Sequence, residues 1–169
     1  MKCKYRGTLI VATCLDGNNQ NFSLAFDIVD RETDNSMKWF LTKLKGAIGE
    51  IKDLVFVTDQ NSSFAKSIAF VFPTASHGLC VQHMRANLSS KFKNQVIDTL
   101  FYNASRAYRE SKFQESWDHI LAFDNGVIKY LEEVGLPHWA HMHCQGRRYN
   151  MMITNTTECM NAILLEARE

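Results

Sequence analysis

The sequence predicts an α/β domain that continues into a helical region. Residues 1–84 alternate short apolar runs with amphipathic segments of helical spacing, in the order β-β-α-β-α-β. From residue 85 to about residue 136, apolar residues recur at helical spacing throughout. The length of 169 residues suits one domain or part of one, and the hydrophobic content of 46% suits a packed core.

Two strands and a helix are predicted first. Residues 8–13 are TLIVAT and residues 22–29 are FSLAFDIV, with turn-forming Asp16-Gly17-Asn18-Asn19 between them, so we predict an antiparallel hairpin. From Ser36 the apolar spacing becomes helical, and Gly49 is the predicted stop.

Two further strands alternate with helices. Residues 54–57 are LVFV, an unbroken apolar run typical of a buried central strand. We predict that Ser62 or Ser63 caps the following helix and that Pro73 closes it. The next predicted strand covers residues 77–81.

The second half is predicted to be mainly helical. Residues 135–137 (Gly-Leu-Pro) interrupt the helical pattern, and residues 138–150 are predicted to form a loop-rich connector. A last helix is predicted near Thr156, with an apolar stripe. The simplest interpretation of Trp39 and Trp117, both at helical spacing, is that they belong to the core.

The composition excludes several classes of protein. Nineteen Lys and Arg against eighteen Asp and Glu give a formal net charge of +1. This value excludes a strongly basic protein that coats nucleic acid, but it allows a local basic patch. No apolar run approaches the roughly 20 residues of a membrane helix, and no signal peptide is recognised. The cysteines are odd in number and scattered, which is typical of a reduced, intracellular protein: Cys3, Cys14, Cys80, Cys144 and Cys159.

Two carboxylates are candidates for chemistry. Asp59 follows the predicted buried strand, at the sheet edge where α/β proteins place their sites, although it could equally form a turn or a cap. Glu158 lies in the first turn of the predicted last helix. Because Asn155-x-x-Glu158 resembles a capping box, Glu158 taken alone would be interpreted as a cap.

One pair of residues has the spacing of zinc ligands. Cys80-x-x-His83 provides a thiol and an imidazole, the usual zinc donors, but a zinc site needs about four ligands. A second cluster could complete the site if the fold brings it close: His138, His141, His143 and Cys144. The alternatives are chance spacing and a buried core cysteine, and His77 could be a surface residue.

A basic segment, Gly146-Arg147-Arg148-Tyr149-Asn150, precedes the last helix. Arg147 and Arg148 could contact phosphates, and Tyr149 could stack on a base. A solvated loop is the simpler interpretation of the segment alone. The same interpretation applies to the basic residues of the helical region, Lys91, Lys93, Arg106 and Arg109.

The ordered set of motifs resembles the plant Mutator-like (MULE, MuDR-type) transposase domain over nearly the whole chain. No single motif decides the resemblance, but their order is specific. The matching residues are Gly7–Thr13, Asp16–Gln20, Leu24–Phe26 with Ile28–Asp30, Trp39 and Phe40 with Leu44, Val55–Asp59, Phe72 and Pro73, His77 with Cys80-x-x-His83, Glu132–Gly135, Trp139–Ala140, Gly146–Asn150, and Thr154 and Asn155 through Glu158 to Asn161.

The resemblance implies an RNase H-like mixed sheet, with a helical insertion before the last catalytic helix. The three parts would be residues 1–84, 85–150 and 151–169. It also implies a D-D-E carboxylate triad that holds two Mg²⁺ or Mn²⁺ ions for cleavage and strand transfer of DNA. Asp59 and Glu158 match the second and third carboxylates. The implied partner is DNA with transposon terminal inverted repeats, in a nuclear protein that could form homo-oligomers.

The match departs from the family at the first carboxylate. Counting back from Lys4-Tyr5-Arg6-Gly7 puts the first Asp, and the first strand that carries it, a few positions before Met1. We therefore expect the 169 residues to be inactive alone. One alternative is a domesticated, non-enzymatic module that binds DNA or protein, and another is an unstable product whose incomplete sheet exposes unpaired backbone.

Overall fold

The computed structural model describes residues 7–15, 18 and 20–144, apart from the side chain of residue 21. These residues form two compact units. Unit 1 contains the described residues up to Lys52 together with Asn61–Thr74, and unit 2 contains Asp53–Gln60 and the described residues from Ala75 onward.

Unit 1 begins with the predicted antiparallel hairpin. Strand β1 (Thr8–Leu15) pairs with β2 (Asn21–Val29), and an irregularity in the register lies between Ala12 and Thr13. Ile10 of β1 is buried. Every second side chain of β2 from Phe22 to Ile28 is a large hydrophobic residue that is at least 38% exposed. The prediction of a hairpin is confirmed.

Helix α1 (Asp34–Ile48) starts two residues before the predicted Ser36 because Thr33 caps it. The Thr33 hydroxyl accepts a hydrogen bond from the Ser36 N–H, and the Ser36 hydroxyl accepts one from the Thr33 N–H, which forms a capping box. The helix ends at Gly49, as predicted, with a φ angle of 72°. Its buried stripe consists of Met37, Phe40, Leu41 and Leu44.

Helix α2 (Ser62–Val71) packs against α1. The predicted caps, Ser62 and Ser63, were wrong. Asn61 is the cap, and its side-chain oxygen accepts a hydrogen bond from the Ser63 N–H at 2.9 Å. The Ser63 hydroxyl instead donates to Asp34 at 2.6 Å, which connects the two helices and, with Lys66, lowers the pKa of the Asp34 carboxyl.

Unit 2 begins with a parallel strand pair. Strand β3 (Val55–Thr58) pairs with β4 (Ser76–Leu79). All four β3 residues are half-buried, and within the described residues β3 pairs with β4 alone. Within the described residues, β3 is thus a half-buried strand with one partner instead of the expected buried central strand. The α/β class is confirmed, but the strands that the structure describes form two sheets of two strands instead of one mixed sheet.

Five helices and a 3₁₀ turn make up the rest of unit 2 as described. They are α3 (Val81–Phe92), α4 (Gln95–Arg106), α5 (Glu110–Phe123), α6 (Asn125–Val134), α7 (Leu136–Trp139) and the turn His141–His143. The helical region starts at Val81, earlier than predicted. Helix α7 begins within the predicted break and extends into the predicted connector, with Pro137 in its first turn, where the missing N–H is tolerated.

The three tryptophans have different environments. Trp139 is fully buried in the helical core, where its indole N–H donates to the Leu131 carbonyl at 3.2 Å. Trp117 is half-buried against that core, 6.3 Å from the Trp139 ring. Trp39 is 53% exposed on α1, so its assignment to the core was wrong. Within the described range, none of the helices has the length and apolar character needed to cross a bilayer.

Candidate functional site

Asp59 directly follows β3, at the carboxyl-terminal edge of the parallel pair. Thr58 and Leu79 are register partners, and the Cys80 N–H donates to the Thr58 carbonyl at 2.7 Å. This hydrogen bond continues the strand pairing up to the residue before Asp59. Asp59 is half-buried, at the sheet edge where the sequence predicted it.

The backbone before Asp59 is fixed by a hydrogen-bonded threonine. The Thr58 hydroxyl donates to the Asp59 carbonyl at 2.8 Å, and Nε2 of His77 lies 2.9 Å from the same hydroxyl oxygen. A hydroxyl has one proton, so Nε2 of His77 is the donor in the second hydrogen bond. His77 is thus a structural partner of the site rather than a solvated residue.

His138 extends this network to α7. Its Nδ1 lies 2.8 Å from the His77 carbonyl oxygen, and the two imidazole rings are 6.0 Å apart. A carbonyl only accepts hydrogen bonds, so Nδ1 of His138 is the donor. Strand β4 is therefore anchored near its start to His138 of α7, 61 residues later in the chain.

The backbone after Asp59 is fixed through Gln60. Its side-chain oxygen accepts hydrogen bonds from the Tyr130 hydroxyl, at 3.1 Å, and from the Asn87 side-chain amide. These two donors come from α6 and α3. Asp59 thus lies between two residues whose side chains are held by other elements of unit 2, which restricts the backbone on both sides of it.

A model of the MULE transposase domain family matches residues 1–87, which is just over half of the chain. This chain belongs to the MULE transposase domain family. The matched segment includes Asp59, His77, Cys80 and His83 and ends at Asn87. Membership links the chain to transposase-derived proteins.

A related protein is FAR1-RELATED SEQUENCE 4 of Arabidopsis thaliana. It is 25% identical to this chain over 120 residues. The aligned residues cover 68% of this chain and 16% of the relative. The chain therefore spans about a sixth of the length of that protein.

The predicted zinc pair, Cys80 and His83, lies at the start of α3. Cys80 is fully buried at the N-cap, and Nδ1 of His83, in the first helical turn, is also buried. Within the described ranges, no group of three or more His, Cys, Asp and Glu side chains is placed to hold a metal ion. A zinc site of Cys80 and His83 stays a prediction.

The residues expected to complete a zinc site each contact other groups. His138 donates to the His77 carbonyl, and the His141 ring lies 4.3 Å from the Tyr108 ring. The His143 ring packs edge-on against Phe113 at 4.9 Å, and the Cys144 thiol donates to the Ala140 carbonyl at 3.1 Å. Within the described part of the chain these four residues are not part of a group placed to hold a metal ion, and their joining a zinc site with Cys80 and His83 stays a prediction.

The remaining predicted site residues are Glu158, Arg147 and Arg148. All three lie outside the described residues, so the geometry that joins them to Asp59 is not part of the structure. Their roles stay predictions.

Three basic residues of the described helical region contact nearby side chains. Arg85 forms an ion pair with Asp98 at 2.6 Å, and Arg106 donates to the Tyr102 hydroxyl at 2.7 Å. The Lys91 ammonium lies 4.4 Å from the centre of the Tyr130 ring. Each of the three cations therefore contacts a side chain of the helical region itself.

Proposed function

We propose that the chain is part of the catalytic core of a Mutator-like DNA transposase with an RNase H-like fold. One observation carries this proposal. Asp59 lies at the end of a strand in the family-matched segment, between Thr58 and Gln60, whose side chains are hydrogen-bonded to His77 and to Asn87 and Tyr130. A carboxylate on a backbone that is held on both sides is suited to binding a metal ion in a fixed position.

The donor at this position fits Mg²⁺ or Mn²⁺. Both are hard cations that prefer carboxylate oxygens and keep several water ligands. We assign Asp59 and Glu158 as protein ligands, with Glu158 contributed by the last segment of the chain. When bound, such metals activate a water or a 3′-hydroxyl and stabilise the leaving oxygen at a DNA phosphodiester.

Metal binding is the appropriate first test for these 169 residues. Cleavage needs all three carboxylates of the D-D-E triad, of which Asp59 and Glu158 are two, so metal binding at Asp59 is tested before cleavage. The role of the chain in this proposal is to hold the Asp59 carboxylate and, through Thr58 and Gln60, to orient it.

The test measures Mn²⁺ binding by electron paramagnetic resonance. Asp59→Asn should weaken Mn²⁺ affinity at least about tenfold. Mutating a residue that only supports a metal ligand already weakens metal affinity by about that factor, and losing the ligand itself should weaken it at least as much. Asp53→Asn is the matched control, since Asp53 is an exposed carboxylate before the same strand. Equal Mn²⁺ affinity of the wild type and a folded Asp59→Asn variant would overturn the proposal.

A second candidate function is a non-enzymatic module that binds DNA or protein. The exposed lysine–aromatic contacts of α1 and α2 favour it, because they do not involve Asp59. This candidate predicts salt-dependent DNA binding that survives Asp59→Ala and Glu158→Ala but is weakened by Arg147→Ala and Arg148→Ala. Loss of DNA binding in Asp59→Ala would count against it.

The partner and location follow from the first candidate. We propose transposon terminal inverted repeats as the DNA, assembly of more than one copy on it, and a nuclear site of action. Binding of an inverted-repeat duplex no tighter than binding of a scrambled duplex would contradict the proposed DNA target.

A further inference from the structure

We propose that four residues of unit 1 form a binding surface for single-stranded or locally unpaired nucleic acid. The residues are Lys38, Trp39 and Lys43 of α1 and Phe70 of α2, called here the lysine–aromatic patch. It lies on helices that do not carry Asp59, and it does not depend on metal binding or cleavage. It therefore goes beyond the proposed catalytic function, and it rests on the second candidate function, a module that binds DNA, for which it names the surface and the form of the nucleic acid.

The patch contains two large aromatic side chains on neighbouring helices that the core of unit 1 does not bury. Trp39 is 53% exposed and Phe70 is 67% exposed. The buried stripe of α1 includes Met37 and Phe40, which flank Lys38 and Trp39, so the indole lies off the stripe. Single exposed aromatic side chains are common. Here two of them on neighbouring helices each have a lysine ammonium near the ring, so the surface offers both aromatic faces and positive charge.

Each aromatic ring of the patch has a lysine ammonium near it. Nζ of Lys38 lies 3.4 Å from the centre of the Phe70 ring, and Nζ of Lys43 lies 5.7 Å from that of Trp39, one helical turn earlier. In the part of the chain that the structure describes, neither ammonium forms an ion pair with a carboxylate. Both charges thus remain available to an anionic partner.

Two other lysines of unit 1 show the contrast. Lys45 donates to the Val71 carbonyl at 2.9 Å and forms an ion pair with Glu50. Lys66 forms an ion pair with Asp34 at 3.2 Å. These lysines serve the packing of α1 on α2, whereas Lys38 and Lys43 face aromatic rings at the surface.

The combination of available cations and exposed rings favours a nucleic acid. Ammonium groups neutralise phosphates, and Trp and Phe rings stack on bases. An apolar protein surface would bury the two lysines without counter-charges, at a large desolvation cost. A single strand is favoured over a duplex, because bases stacked inside a duplex do not offer their faces to protein rings.

The test is a fluorescence titration of the full chain with oligo(dT), which has no stable secondary structure. Stacking on Trp39 should quench tryptophan emission, and Trp39→Phe should remove most of that quenching. Trp39→Ala and Phe70→Ser should each weaken binding at least about fivefold, the lower end of the measured effect of one base–aromatic stack.

The lysines are tested by charge. The double variant Lys38→Gln/Lys43→Gln should bind more weakly and should lower the slope of log K against log salt by about 1.4, since each phosphate on a single strand contributes about 0.7. Lys38→Arg/Lys43→Arg should restore both values. Lys129→Gln, which removes an exposed lysine on α6, is the control and should change affinity less than about twofold.

Several results would overturn the inference. These are the absence of Trp39-dependent quenching in the wild type, unchanged affinity in correctly folded patch variants, and binding of poly-glutamate as tight as binding of oligo(dT). Thermal melting of each variant establishes folding. Asp59→Asn should keep full oligo(dT) binding, so failure of the metal proposal and failure of this one are distinguishable.

Discussion

Nε2 of His77 lies 2.9 Å from the hydroxyl oxygen of Thr58, and that hydroxyl donates its proton to the carbonyl of Asp59. The two residues join β3 and β4 through their side chains, beside the candidate catalytic carboxylate. Because the single hydroxyl proton is already used, the imidazole is the donor, which fixes its proton on Nε2.

Thr58→Val should therefore destabilise unit 2. The substitution removes the acceptor for His77 and the donor to Asp59 while keeping the shape of the side chain, so we expect a loss of about 1 kcal/mol in the free energy of unfolding. Urea denaturation measures the loss. Thr58→Ser keeps the hydroxyl and is the control. A stability of Thr58→Val equal to that of Thr58→Ser would show that the hydroxyl contributes nothing.

The Arg85–Asp98 ion pair should make stability depend on acid pH. The Arg85 guanidinium donates two hydrogen bonds to Asp98, at 2.8 and 2.6 Å, and lowers the pKa of that carboxyl below its ordinary value of 3.8. A carboxyl with a lowered folded-state pKa stabilises the protein above the unfolded value and loses this contribution as the pH falls through the folded value.

Asp98→Asn should cost about 1 kcal/mol at pH 7, since the pair is only partly buried. The difference from the wild type should shrink as the pH falls below 3.8. Thermal unfolding at a series of pH values measures it. Asp118→Asn, at an exposed position on α5, is the control. A difference that stays constant down to about pH 2 would contradict the predicted linkage.

The tryptophans should differ in their contribution to stability according to burial. Trp139→Ala should cost about 3–5 kcal/mol, because it leaves a cavity in the helical core and the Leu131 carbonyl without its indole donor. Trp39→Ala, at an exposed position, should cost less than about 1 kcal/mol. Chemical denaturation compares the two variants. Similar costs for both would mean that Trp39 belongs to a core after all.

Two glycines at and near the end of α1 should respond to alanine in opposite directions. Gly46 lies inside the helix, and an added Cβ would meet no other atom within 4 Å, so Gly46→Ala should stabilise by about 0.5–1 kcal/mol. Gly49 has a φ of 72° and a ψ of −161°, a region that residues other than glycine rarely adopt. Gly49→Ala should therefore destabilise by about 1–3 kcal/mol. Thermal melts give both values, and stabilisation by Gly49→Ala would be the contrary result.

The predictions from sequence succeeded where a feature depends on near neighbours. The β1–β2 hairpin follows from alternating apolar residues around turn-forming ones, and the end of α1 follows from Gly49. The start of α1 at Thr33 and the cap at Asn61 were missed, because several adjacent polar residues could cap a helix and only the backbone geometry selects one.

The predictions failed where a feature depends on distant residues. Helical spacing placed Trp39 in the core, but spacing does not show whether another element covers that side of the helix. The spacing of His138, His141 and His143 suggested a metal cluster, yet these side chains contact His77, Tyr108 and Phe113 instead. No local pattern predicts those contacts.

The sequence alone determined the order of strands and helices up to β4, the family resemblance and the position of Asp59 at the end of β3. Each depends on residue types within a few positions of each other. Only the tertiary structure decided that Thr58 and Gln60 are held by His77, Asn87 and Tyr130, and that two lysines face exposed rings on α1 and α2. The Tyr130–Gln60 hydrogen bond joins residues 70 positions apart, and such pairs form only when packing brings separate elements together.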